Sequence, residues 1–134
     1  MGRVLALDYG SARCGCAISD PSGTLATPLE AVEDPRSEAG LRRLAELVAR
    51  EDVELVLVGL PIGLAGTEGA QAGEARAFAD QLAEVLSVPI ETYDERFTTT
   101  LARSTPGKAP EDSRAAAHLL TTYLDARRRS TQVE

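Results

Sequence analysis

Two runs in this chain, Val4-Leu5-Ala6-Leu7 and Leu55-Val56-Leu57-Val58, are apolar at every position. A strand with no polar face has to be covered on both sides, so these runs predict central strands of a sheet buried under helices. The first run reads as a strand over Val4 to Tyr9, followed by a second over Gly15 to Ser19 and a third over about Thr24 to Pro28. Ser19-Asp20-Pro21-Ser22-Gly23 supplies hairpin-turn chemistry between the last two. Leu41, Leu44, Ala45 and Val48 then repeat at helical spacing within Ser37 to Arg50. The run at Leu55–Val58 reads as a central parallel strand, and Gly59 to Gly69, rich in glycine, as a loop. Ala75, Phe78, Ala79, Leu82 and Leu86 mark a second helix, Pro89 to Tyr93 a fifth strand, and Glu111 to Arg128 a closing helix. The order strand-strand-strand-helix-strand-helix-strand-helix predicts an α/β protein. It calls for a mixed five-stranded sheet, its first three strands antiparallel, with helices on both faces.

The 134 residues suit one domain, residues 1–134, with a disordered tail expected over about 130–134. No apolar run approaches the ~20 residues that cross a bilayer, and no signal peptide precedes the first strand, so a cytoplasmic protein with no membrane partner is expected. Cys14 and Cys16, two apart on one strand, share a face but are poorly placed to bridge each other. With His118 the only histidine, a Cys/His zinc site cannot be assembled, and two buried, reduced thiols are expected.

Three acids stand where a purely structural core would not want them. Asp8 ends the first strand on the face of Val4 and Ala6. Glu95 follows the fifth strand. Asp112 opens the last helix, above Ala116, Leu119 and Tyr123 at helical spacing. Ligands of α/β sheets collect at the carboxyl ends of parallel strands, where these three would meet. Convergent carboxylates repel one another unless a cation neutralises them, and Mg²⁺ or Mn²⁺, one or two ions, suits an all-oxygen donor set. Such a site hydrolyses phosphodiesters. Each acid also has an ordinary reading: a strand-ending turn at Asp8-Tyr9-Gly10, a surface acid at Glu95, and a complement to the helix dipole at Asp112. Strand alternation lets only one of Asp94 and Glu95 point into the site, and Glu95 is preferred.

Taken together, Leu7-Asp8-Tyr9-Gly10, Val58-Gly59-Leu60-Pro61 with Gly66-Thr67-Glu68, Asp94-Glu95-Arg96-Phe97-Thr98-Thr99, and Asp112-Ser113 before Ala115-Ala116 resemble the YqgF/RuvX family in order and context. The likeness runs from residue 3 to about 128. It implies an RNase H-like fold related to Holliday-junction resolvases and a role in maturing the 5′ end of pre-16S ribosomal RNA. The family's acidic residues fall on Asp8, Glu95 and Asp112. Two departures stand out: Gly63 occupies a position that is usually asparagine in the family, and the stretch from Arg103 to Asp112 is shorter than in relatives.

The net charge of −7 runs against a nucleic-acid partner. Locally the sign reverses, because residues 96–114 hold Arg96, Arg103, Lys108 and Arg114 against Glu111 and Asp112. Arg96 is a candidate phosphate fork or a partner for Asp94 or Glu91. Gly59, Pro61 and Thr67 belong to a segment that either offers backbone N–H groups to a phosphate, with Thr67 capping the next helix, or merely connects strand to helix. The reading is a metal-dependent nuclease acting on pre-16S rRNA, as a monomer or weak homodimer. The rivals are a dimeric resolvase of branched DNA, an ATP-handling domain, and a non-catalytic RNA-binding adaptor.

Overall fold

The computed structural model describes residues 2–60, 69–94 and 111–133, with the backbone alone at 111, 112 and 129–133. Five strands, β1 (Arg3–Asp8), β2 (Arg13–Ser19), β3 (Ala26–Glu33), β4 (Val53–Leu60) and β5 (Ile90–Asp94), form one sheet in the order β3-β2-β1-β4-β5. β1 pairs antiparallel with β2, and β2 with β3, while β1–β4 and β4–β5 are parallel. The expected mixed sheet with an antiparallel start is therefore present. Its two continuously apolar strands, β1 and β4, lie side by side at the centre, where both faces need cover.

Among the described residues that cover comes from three helices, α1 (Glu38–Arg50), α2 (Ala70–Val85) and α3 (Glu111–Val133). Side chains alternate across each strand. Leu5 and Leu7 of β1, with Val56, Val58 and Leu60 of β4, pack against Leu44, Leu47 and Val48 of α1 and Ala75, Phe78, Ala79 and Leu82 of α2. Val4, Ala6, Leu55 and Leu57 turn the other way, onto Ala116, Leu119, Leu120 and Leu124 of α3. Among the described residues, α1 and α2 thus cover one face of the sheet and α3 the other. α1 starts where Ser37 predicts, its hydroxyl accepting the Gly40 N–H at 3.0 Å.

Several boundaries differ from the sequence expectation. β3 runs to Glu33 rather than stopping at Pro28. It is an edge strand, where a proline removes no hydrogen bond that a neighbour needs. Gly59 and Leu60 belong to β4 and not to a loop, paired with Tyr93 and Asp94. α3 continues past Arg128 to Val133.

The β2–β3 turn is organised by Asp20. Its carboxylate accepts the Ser22 hydroxyl at 2.5 Å and the N–H groups of Thr24 and Leu25 at 2.8 and 2.9 Å. The Ser22 hydroxyl, followed by the Leu25 and Thr24 amides, holds the Asp20 carboxyl down at about 2. A folded-state value below the ordinary 3.8 means that its contribution is complete above that pH and disappears as pH falls through about 2. The amide proton shifts of Thr24 and Leu25 are expected to titrate with a midpoint near 2; a midpoint near 3.8 would contradict this arrangement.

Candidate active site

Asp8 continues the parity of Val4 and Ala6, so it leaves the carboxyl end of β1 on the α3 side of the sheet. It is neither fully buried nor fully exposed. On one side it faces Gly15 of β2. On the other, one step beyond the Leu7–Val58 pair, β4 carries Gly59. Neither neighbour has a side chain to cover the carboxylate. Among the described residues, no side chain donates a hydrogen bond to it or forms an ion pair with it. An oxygen-only anion at the meeting point of parallel strand ends, flanked by two glycines, suits a hard cation or a phosphate carried on one.

The next residue turns the other way. The Tyr9 ring packs against Phe78 of α2 at 5.0 Å between centroids, and its hydroxyl donates to Glu74 at 3.2 Å. Burial first, then the bond and charge of Glu74, raise the Tyr9 phenol above its ordinary value against the opposing effect of Arg36. Gly10 is required for a different reason. A Cβ there would stand 2.6 Å from the carbonyl oxygen of Arg13, so any side chain would push the returning strand away. Past Asp8, Tyr9 is therefore a clamp to α2 and Gly10 a close crossing.

β5 decides between its two neighbouring acids as far as Asp94. Tyr93 packs on the α3 side, its ring edge-on to Tyr123 at 5.9 Å and 87°, whereas Ile90 packs toward α1 and α2. Asp94 shares the parity of Ile90 and so lies on the face opposite Asp8. Glu95 lies outside the described residues, as do Arg96, Pro61 and Thr67. The N-cap residue of α2 is Gly69, which has no side chain to cap the first turn.

Asp112 lies in the first turn of α3, with only its backbone described. That turn is tied to the sheet by Ser113. Its hydroxyl accepts the Cys16 N–H at 3.2 Å and donates to the Leu29 carbonyl at 2.5 Å. Cys16 faces Leu7, the residue before Asp8, so the start of α3 is anchored beside the end of β1. Sequence reasoning passed over Ser113 as a site residue. The signal was available: Ser113 is the one polar member of the stripe Ser113, Ala116, Leu120, Leu124, spaced as one face of a helix.

Cys14 and Cys16 are free and buried, as expected. The neighbouring Cys16 thiol, burial and the Asp8 charge together push the Cys14 thiol well above the ordinary cysteine range, which keeps it protonated and unreactive. Among the described residues no three His, Cys, Asp or Glu side chains converge on one point.

Solved structures share this architecture. RuvC of T. thermophilus, in complex with a Holliday junction substrate, superposes with a TM-score of 0.64 at 20% identity, covering 96% of each chain. The fowlpox virus resolvase with its junction DNA superposes at 0.54 and 10% identity, covering 93% of this chain and 98% of that one. The sheet order and these superpositions show an RNase H-like fold, and the chain's family and relatives make it a nuclease, a hydrolase of phosphodiester bonds. The chain belongs to the RuvX family, described as Holliday junction resolvase, which matches residues 2–126. Among relatives, a protein of Chloroflexus aggregans is 40% identical over 134 residues, covering 93% of this chain and 94% of its own. One of Mycobacterium ulcerans is 44% identical, covering 95% and 81%. Both carry the name "Putative pre-16S rRNA nuclease".

Proposed function

We propose that this nuclease is divalent-metal-dependent and trims the 5′ end of pre-16S ribosomal RNA, with Asp8, Glu95 and Asp112 as its metal-binding and catalytic carboxylates. The observation that carries the reading is Asp8: a strand-end carboxylate on the α3 face, between two glycines and with no cationic partner among the described residues. The donor chemistry fits Mg²⁺ or Mn²⁺, which prefer oxygen ligands. When bound, such an ion lowers the pKa of a water and neutralises charge on the scissile phosphate. Asp8 would hold one edge of that site, while Glu95, the residue after β5 in sequence, and Asp112, in the first turn of α3, would complete it. Gly59, in β4 beside Asp8, lets a phosphate approach the backbone, and Pro61 and Thr67 follow it in the segment assigned to substrate. Arg96 forks onto a phosphate.

Ribosomal RNA is preferred as substrate because relatives 40–44% identical carry that name over nearly all of this chain. Cleavage of branched DNA is the second reading, favoured by the family description and by the RuvC scaffold. Among the described residues no helix is long and apolar enough to cross a membrane; a cytoplasmic monomer or weak homodimer accords with the proposed substrate.

The test is a Mg²⁺ and Mn²⁺ titration of cleavage on precursor 16S RNA and on a four-way DNA junction, with Glu95→Gln and Asp94→Asn alongside. RNA cleavage that requires the metal, is lost in Glu95→Gln and survives in Asp94→Asn is the expected result. Metal-independent cleavage, or the reverse pattern in the two variants, would overturn the assignment. In the same assays Arg96→Ala is expected to weaken RNA binding more than turnover. The salt slope of binding should then fall by about one, the signature of a lost phosphate contact. An unchanged slope removes Arg96 from the phosphate.

A further inference from the structure

Ser113 joins helix to sheet in a way that packing alone does not. It is fully buried, and its two hydrogen bonds run to Cys16 and Leu29, which face each other across the β2–β3 ladder. A helix side chain therefore stands between two paired strands, immediately after the register shift at Cys14/Cys16. An alanine would continue the apolar stripe of Ala116, Leu120 and Leu124 and leave no hydroxyl to satisfy. The hydroxyl has a geometric consequence. Apolar contacts are non-directional and leave a helix free to slide and roll by fractions of an ångström. One hydroxyl that both accepts and donates, to two fixed backbone groups, sets the height and rotation of the first turn. The anchor point faces Leu7, adjacent to Asp8, and the residue before Ser113 is Asp112.

We propose that Ser113 is a positioning residue for the active site. By inserting its hydroxyl into the β2–β3 ladder it fixes the backbone from which the Asp112 carboxylate reaches a metal ion shared with Asp8. The inference rests on the reading of these two acids as metal ligands given above. Mg²⁺ demands near-ideal octahedral geometry, so small displacements of one ligand are felt in affinity, as they are when outer groups that orient a metal's ligands are removed.

The experiment measures Mn²⁺ binding by calorimetry on the metal-free full chain without nucleic acid, so that activity plays no part in the readout. Ser113→Ala is expected to weaken Mn²⁺ by roughly 10- to 100-fold. Ser113→Thr, which keeps the hydroxyl, should restore most of the affinity. Leu120→Ala, which loosens the same helix within its apolar stripe, should leave Mn²⁺ affinity nearly unchanged at a temperature where it is folded. Ser113→Cys keeps a weak donor and acceptor while lengthening both bonds. It stands in for the alanine variant if that one does not fold, and should also bind Mn²⁺ more weakly. Unchanged affinity in the folded alanine or cysteine variant overturns the proposal, and so does an equal loss in Leu120→Ala. If Asp112→Asn loses Mn²⁺ while the Ser113 variants keep it, the positioning role alone falls. If neither changes anything, the metal-ligand reading falls and takes this inference with it.

Discussion

Replacing Asp8 with asparagine is expected to lower divalent-dependent cleavage by roughly 10³-fold, since a metal's stabilisation of the transition state is worth several kcal/mol and each 1.36 kcal/mol is a factor of ten. The substitution conserves shape, and among the described residues the carboxylate has no hydrogen-bonded or charged side-chain partner to lose. Its thermal midpoint should equal that of the unsubstituted chain or exceed it, as happens when a site kept for function is neutralised. Cleavage assays with saturating Mg²⁺, together with thermal unfolding by circular dichroism, check both halves. Wild-type cleavage by a purified Asp8→Asn variant would remove the residue from the chemistry.

The opposite outcome, stability lost before chemistry, is expected at Phe78. Its ring is completely buried on α2, in the cluster that joins α1 and α2 to the sheet, and it is the partner of Tyr9. Truncation to alanine should cost about 3–5 kcal/mol, the range seen when a large buried aromatic leaves a cavity. For a domain of this size that lowers the melting temperature by roughly 10–20 °C. Urea and thermal unfolding measure it directly, and a loss below ~1 kcal/mol would mean that the layer between α2 and the sheet closes over the gap. At temperatures where Phe78→Ala remains folded, Mg²⁺-dependent cleavage should persist, because the ring lies on the side of the sheet opposite Asp8.

The central strands were legible because nothing else explains Val4–Leu7 and Leu55–Val58. Period-two alternation then fixed the face on which Asp8 would emerge, and the structure places it there, on the side of Val4 and Ala6. The length of β3 was hidden by Pro28, which reads as a stop unless the strand is known to lie at an edge. Edge position is a property of the whole sheet. Gly59 was hidden in the same way, since a glycine after an apolar run signals a loop until β5 is seen to pair with it. The exclusion of Asp94 was only half readable. Alternation says that two adjacent acids leave a strand on opposite faces, but Tyr93 packing on Tyr123 is what puts Asp94 on the face opposite Asp8. Ser113 illustrates a further limit: sequence marks a polar residue on an apolar stripe, but its two backbone partners come from strands far away in the chain.

β2 runs antiparallel to β1, and the Ser19 hydroxyl accepts the Val4 N–H at 2.8 Å, which puts the end of β2 beside the beginning of β1. The Asp20 turn, with Leu25 65% exposed at its end, is thereby carried to the end of the sheet away from Asp8. A fluorophore or an affinity tag grafted at that turn would sit a full strand length from Asp8. The molecule therefore comes with its own handle, set at the end of the sheet opposite the proposed site of cleavage.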